Sequence, residues 1–307
     1  MKKVDVYILS GFLGAGKTTL LQNILTQEHQ KNRKIAVIMN ELGETSIDSD
    51  AVSKDTPLKE LLNGCVCCTI QGQLEVQLNQ MLHEYELDAI YIETTGVAHP
   101  IEVLDTCLSP LFAEKLDVKG IITLVDAKRW QDQEKLSIQL RKLLIEQVTH
   151  ADIVLLNKTD SLSENEKAKL VAEIQGLNPN GKLYMTEHAK IPLSFIQPKQ
   201  LGEKKHHEQS HVSKNLHLRS YVHTFTNPID LDQFEKFLRE MPETIYRIKG
   251  YITFSHSTES FLFQYSYGMP LYMKEQIKRK QTLVFIGENL DHETLKQQLA
   301  AVEIVSN

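Results

Sequence analysis

Two groups of residues have types and spacing suited to chemistry: an eight-residue loop at Gly11–Thr18 and three thiols at Cys65, Cys67 and Cys68. The loop reads Gly11-Phe-Leu-Gly14-Ala15-Gly16-Lys17-Thr18, followed by Thr19, and matches every fixed position of GxxxxGK[ST]. An apolar run, Val4–Leu9, precedes it and a helical run follows, which is the strand–loop–helix setting of a phosphate cradle. Glycines let the backbone curl so that its N–H groups converge on phosphate oxygens, and the following helix adds the positive end of its dipole. Lys17 is expected to reach the β- and γ-phosphates. The Thr18 hydroxyl is expected to ligate magnesium, a hard cation that prefers oxygen.

The thiols lie in Gly64-Cys65-Val-Cys67-Cys68. Thiolate is a soft ligand that suits Zn²⁺, with Co²⁺ and Cu⁺ in competition. Three crowded thiolates repel one another, and a bound cation relieves that repulsion. A fourth ligand must come from elsewhere: Glu41, Glu44, a histidine or water. Three sulfurs with one exchangeable position suit delivery of a metal better than its permanent retention. A redox role through Cys65-x-x-Cys68 is the rival reading.

Three further stretches surround these groups. Asn157-Lys158-Thr-Asp160 follows the apolar run Ile153–Leu156. The Asp160 carboxylate matches the N1–H and 2-amino donors of guanine, whereas adenine offers neither. An unpaired buried polar group costs about 1–3 kcal/mol, enough to select GTP over ATP. Asn157 and Lys158 are expected to brace that loop. Glu93-Thr-Thr-Gly96 closes another apolar run, with Glu93 expected to hold magnesium-bound water and Gly96 expected to act near the γ-phosphate as a hinge. Asn40-Glu41-Leu-Gly43-Glu44-Thr-Ser-Ile-Asp48 is an acidic loop in which Asp48 is the preferred ligand to magnesium or its water. Glu41 and Glu44 are candidates for either metal. His206, His207 and His211 lie among lysines and read equally as weak metal ligands or as a solvated segment. No catalytic glutamine or arginine finger is evident, so slow intrinsic hydrolysis is expected.

The elements that must position these residues follow from periodicity. Short apolar runs at Val4–Leu9, Ile35–Met39, Ala89–Glu93, Gly120–Val125 and Ile153–Asn157 alternate with helical stretches at 18–27, 74–85, 101–108, 129–147 and 164–177. That alternation predicts an α/β fold: a mostly parallel sheet with helices on both faces and ligands at the carboxyl ends of its strands. From 187 to 215 the pattern fails and a linker is expected. Beyond it, strands at 216–225, 246–255, 260–267 and 282–286 and helices at 230–241 and 291–299 predict a small α+β domain. The expected domains are therefore 1–186, 187–215 and 216–307.

With 34 Lys and Arg against 40 Asp and Glu, the net charge of −6 offers no general attraction for nucleic acid or an anionic membrane. No apolar run has the length of a bilayer span. The first three residues alone resemble a signal sequence before the chain runs into the loop, so a cytoplasmic location is expected. In such a reducing compartment the cysteines read as metal-binding or redox-active sites.

Together the six motifs, including Tyr246-Arg-Ile-Lys-Gly250, resemble the CobW-like GTPases, relatives of the nickel-enzyme maturation GTPases, in the order that family carries them. The resemblance covers nearly the whole chain. It implies a P-loop NTPase domain of the SIMIBI type joined to a CobW C-terminal domain. It also implies GTP hydrolysis to GDP, with magnesium, coupled to handling of a transition metal. That metal is most often zinc, with cobalt in members linked to cobalamin synthesis. By the same resemblance the CxCC cysteines bind the metal and Glu93 stands where other GTPases have aspartate. A client metalloprotein would receive the metal, and the chain would be a monomer or a homodimer formed with nucleotide or metal. The alternatives are a GTP-binding metal buffer or sensor with little turnover, and a P-loop kinase or ATPase. Members often carry a long His/Asp-rich linker. Here it is thin, which argues against storage.

Overall fold

The computed structural model describes residues 2–39, 58–60, 70–197, 219–242, 244–266, 268–275, 277–287 and 290–304. Contacts divide the chain into two compact units. The first comprises Met1–Cys107, Lys115–Glu208 and Asn215–His217; the second comprises Leu108–Glu114, Gln209–Lys214 and Leu218–Asn307.

The first unit runs β1 (Val4–Gly11), α1 (Lys17–Gln30), β2 (Ile35–Met39), β3 (Leu58–Glu60), α2 (Ile70–Glu84), β4 (Ala89–Glu93) and α3 (Pro100–Cys107). It continues through β5 (Leu116–Asp126), α4 (Ala127–Gln131), α5 (Ile138–Thr149), β6 (Ile153–Asn157), α6 (Glu164–Leu177), β7 (Lys182–Thr186) and α7 (Leu193–Ile196). The strands form one seven-stranded sheet in the order β3-β2-β4-β1-β5-β6-β7, every pair parallel.

The inner strands β2, β4, β1, β5 and β6 are buried on both faces, which explains why they read as continuous apolar runs. Side chains alternate across it: Ile153 and Leu155 face one core with Leu20, Leu21 and Ile24 of α1. Val154 and Leu156 face a second core with Trp130 of α4, Leu144 and Val148 of α5, and Leu170 and Ile174 of α6. Full burial of such a side chain contributes about 1.5–3 kcal/mol. β1 lies between β4 and β5, where the strand order turns, and the crevice beyond its carboxyl end is where ligands of such sheets bind.

The α/β expectation holds, with differences at particular elements. The single helix expected over 129–147 is two. Asp126 caps α4 through the Arg129 N–H, and Ser137 starts α5 afresh by accepting from the Leu140 N–H. β7 escaped the sequence reading because it is an edge strand with little buried apolar surface. Residues 187–197, expected within a linker, instead belong to the first unit's core, where Ala189, Ile191, Leu193 and Ile196 are buried.

The second unit contains β8 (Arg219–Thr224), α8 (Leu231–Glu240), β9 (Ile245–Thr253), β10 (Ser260–Ser266), β11 (Met269–Glu275), β12 (Thr282–Gly287) and α9 (His292–Val302). Its antiparallel sheet has the order β11-β10-β9-β12-β8. Phe234, Phe237 and Leu238 of α8 and Leu295 and Leu299 of α9 share a core with Ile248, Ile252, Phe263 and Phe285. Leu231 of α8 is partly buried and packs against the same core. β11 has no counterpart in the sequence reading: it is an edge strand whose Met269 and Leu271 are exposed. Among the described residues no helix is long and apolar enough to cross a membrane.

Candidate functional site

The Gly11–Thr18 loop leaves the buried end of β1 and turns directly into α1. Gly11 and Gly16 have φ values of 135° and 109°, and a Cβ at Gly11 would stand 2.3 Å from the Leu124 carbonyl oxygen. These two positions need glycine both for backbone conformation and for room. Gly16 is the residue before α1, so the first N–H groups of that helix are presented at the loop. Lys17 is buried, and its Nζ donates to the carbonyls of Gly11 at 2.8 Å and Phe12 at 3.3 Å. Burial lowers its pKa and the nearby Glu93 carboxylate opposes that shift, so the ammonium sits in a pocket that favours a further anionic partner.

Glu93 ends β4, the strand beside β1, and is buried. Its Oε1 accepts from the Thr18 hydroxyl at 2.9 Å. One residue on, the Thr94 N–H and hydroxyl both donate to the Leu9 carbonyl, tying this loop to β1. The paired oxygens of Thr18 and Glu93 are a hard donor set at the strand ends, and they fit magnesium by chemistry.

Asn157 ends β6 and spans two loops. Its amide Nδ2 donates to the Ala15 carbonyl at 2.9 Å, while its Oδ1 accepts from the Ala189 N–H at 2.9 Å and the Thr186 hydroxyl at 3.2 Å. Lys158 follows in the left-handed region at φ 61°, which aims its side chain back over the loop. Its Nζ donates to the Gly14 carbonyl at 2.9 Å and to Asp126 Oδ2 at 2.7 Å. Burial by itself would raise the Asp126 carboxyl, but hydrogen bonds from Lys158 and the Arg129 N–H outweigh it and hold the pKa below the usual carboxylate range. Asp160 is exposed in the short 3₁₀ turn that follows.

The fold thus gathers Gly11, Gly14, Ala15, Gly16, Lys17, Thr18 and Thr19 with Glu93, Gly96, Asn157, Lys158 and Asp160 at the carboxyl ends of β1, β4 and β6. Glu41, Glu44, Asp48, Cys65, Cys67 and Cys68, like His206, His207 and His211, lie outside the described residues. Among the described residues no group of three His, Cys, Asp or Glu is placed to hold a metal ion. Sequence reasoning missed Asp126, which ends β5 in register with Asn157. The Asp–Ala pair after an apolar run was the available signal. It also missed Ala189, whose N–H helps fix Asn157, and Arg129, whose guanidinium lies over the Phe12 ring at 5.2 Å.

A parallel sheet with a glycine loop joining its central strand to a helix is the P-loop class of nucleotide-binding proteins. The sequence model described as CobW/HypB/UreG, nucleotide-binding domain, matches residues 5–185, and that described as Cobalamin synthesis protein cobW C-terminal domain matches residues 218–303. The chain belongs to the CobW family. It is 31% identical to the zinc chaperone YjiA of Escherichia coli K12, across 98% of this chain and 99% of that protein. It is 25% identical to zinc-regulated GTPase metalloprotein activator 1 of Dictyostelium discoideum, over 99% of this chain and 79% of the relative. The crystal structure of Zn(II)-bound YjiA GTPase from E. coli aligns with a TM-score of 0.51 at 27% identity, covering 99% of this chain and all of that one.

Proposed function

We propose that this chain is a GTP-hydrolysing metallochaperone that binds zinc and passes it to a client protein. The observation that carries the GTPase half is the meeting of three loops at one sheet end: Lys158 on Gly14, Asn157 on Ala15, and Thr18 on Glu93. The metal half is supported by the family, by relatives named zinc chaperones, and by the Cys65-Val-Cys67-Cys68 sequence. Those names favour zinc over cobalt as the cargo.

In this reading the loop from Gly11 to Thr19 holds the phosphates, and Lys17 neutralises the β- and γ-oxygens. Asp160 selects guanine, with Asn157 and Lys158 holding its loop to the phosphate loop. Thr18 and Glu93, with Asp48, would hold magnesium, which supplies charge neutralisation on the phosphates when bound. Gly96 lies in the loop that senses the γ-phosphate. Cys65, Cys67 and Cys68 bind the cargo, with Glu41 or Glu44 as candidate fourth ligands. Their position in the sequence between the Asp48 and Glu93 loops couples the cargo to the nucleotide. The client, a cytoplasmic setting, a nucleotide- or metal-dependent dimer and the domain limits 1–186 and 216–307 belong to the same proposal.

Zinc titration in the presence of GTP, GDP and no nucleotide tests it. GTP should tighten zinc by the factor by which zinc tightens GTP, with coupling of about 1–3 kcal/mol. Replacing Cys65, Cys67 and Cys68 by Ser should abolish tight zinc binding and leave GTP binding intact. Equal zinc affinity in all three nucleotide conditions would exclude the delivery cycle and leave a buffer.

A further inference from the structure

The loop that follows Glu93 is held from outside the motifs, by α5. Gln147 is fully buried, yet its amide donates to the carbonyls of both Gly96 and Ala98 at 3.2 Å. Its neighbour Glu146 meets His99 Nδ1 through Oε2 at 3.0 Å. Two consecutive residues of one helix thus grip three residues of one loop. The Gln147 backbone carbonyl is itself fixed, accepting from the Thr123 hydroxyl of β5 at 2.9 Å. The loop end is also pressed onto the phosphate loop: a Cβ at Gly96 would stand 2.5 Å from the Leu13 nitrogen. The distance between α5 and the phosphate loop is therefore bridged by a single backbone layer, residues 96–98.

A buried amide side chain at this place is unusual for packing alone. Its Oε1 has no hydrogen-bond partner among the described residues, so the amide is held in this core by its donor end, and an apolar side chain of equal size would take that donor from the Gly96 and Ala98 carbonyls. What the amide provides that methionine or leucine would not is a directed two-point hold on loop carbonyls.

We propose that Gln147 is a positioning residue for GTP hydrolysis: it fixes the Gly96–Ala98 backbone against the phosphate loop in the conformation that distinguishes GTP from GDP. This rests on the reading of the Glu93–Gly96 loop as the γ-phosphate sensor. The side chain acts through the loop and does not touch nucleotide. α5 then becomes the element through which the sensor loop is steadied, and a change in the loop is passed to α5 through the same two hydrogen bonds.

The test compares affinities for GDP and for a non-hydrolysable GTP analogue, with kcat and KM for GTP, in the full chain. Gln147→Met keeps volume and removes the donor, and Gln147→Asn keeps an amide too short to reach both carbonyls. The expected result for either is GDP affinity within about twofold of the parent, with the preference for the GTP analogue and kcat each reduced about tenfold. Thr123→Val removes the other hydrogen bond of Gln147 without touching the loop and should leave the ratio of affinities unchanged. If Thr123→Val changes that ratio equally, the effect is helix packing and the inference is overturned. Gly96→Ala, which must displace the loop from Leu13, separates the two levels. If it shifts the ratio while both Gln147 variants do not, Gln147 has no positioning role and the GTPase reading stands. If no variant shifts it, the sensor-loop reading fails and this inference fails with it. Circular dichroism and thermal melting with GDP identify which of the Gln147 variants is folded and enters the comparison.

Discussion

The Asn157 side chain donates to the Ala15 carbonyl across 142 residues of sequence, at 2.9 Å. It therefore joins the end of β6 to the phosphate loop, while its Oδ1 fixes the Ala189 N–H on the far side. In the proposed reading, this brace couples base recognition by the Asp160 loop to phosphate binding.

Asn157→Asp tests this coupling most directly. The oxygen side of the residue is preserved, and an acceptor replaces the donor that faces the Ala15 carbonyl. An acceptor facing an acceptor in a buried setting costs about 1–3 kcal/mol. GTP and GDP should both weaken by about tenfold or more, with a lower melting temperature, as read by calorimetric titration and thermal melting. By contrast, Asp160→Asn should lower guanine selectivity over adenine while leaving the melting temperature unchanged.

Asp126→Asn separates a cap from an ion pair. Asparagine caps helices about as well as aspartate, so α4 should keep its start. The charge facing Lys158 is lost, and Lys158 is then held by the Gly14 carbonyl alone. Lys158 is half exposed, so the stability change should be small. Nucleotide affinity should fall several-fold, and the loss should vanish in a background that already carries Lys158→Met. Additive effects in that double-mutant cycle would mean that Asp126 acts elsewhere.

Glu93→Gln keeps a hydrogen-bond acceptor for Thr18 and removes the charge. The magnesium concentration needed for half-maximal GTP hydrolysis should rise about tenfold, because one anionic oxygen leaves the hard donor set. The Lys17 pKa should fall further, since the carboxylate that opposes its desolvation is gone. Nucleotide affinity in the absence of magnesium should change little, and titration calorimetry with and without the ion measures both.

Stability should fall with acid in a window set by His223 in the second unit. Burial lowers its folded pKa below the ordinary 6.5, with Glu303 opposing the shift. The unfolded chain therefore takes up the proton first as pH falls. Stability is full above about 6.5 and is lost as pH drops toward the folded value. His223→Gln should flatten that part of the curve of melting temperature against pH. Asp126 acts in the same direction at lower pH: its carboxyl is lowered from 3.8, so its contribution is present above that value and is lost as pH falls through the folded pKa.

Local chemistry explains what could be read from the chain alone. The phosphate loop is legible because its conformation is made by its own glycines and the helix it starts, and its residues are consecutive. The alternation of apolar runs and helices is legible because burial on both faces of a parallel sheet leaves a mark on its inner strands β2, β4, β1, β5 and β6. The helix starts at Asp126 and Ser137 were legible in principle, since each is a capping side chain at a boundary. Apolar spacing that continues from 129 to 147 masks both starts. The edge strands β7 and β11 left no mark, because exposed strands do not need the pattern.

By itself the sequence determined the glycine loop, the Asn157–Asp160 motif, the cysteine cluster and the parallel-sheet class, each of which is a property of neighbouring residues. Only the tertiary structure decided which side chains brace those loops. Asp126, Gln147 and Ala189 lie far from the motifs they hold, and they meet them because the ends of β1, β4, β5 and β6 converge at one edge of one sheet. A hydrogen bond made across that edge depends on strand order and register, and no local run of residues encodes either one.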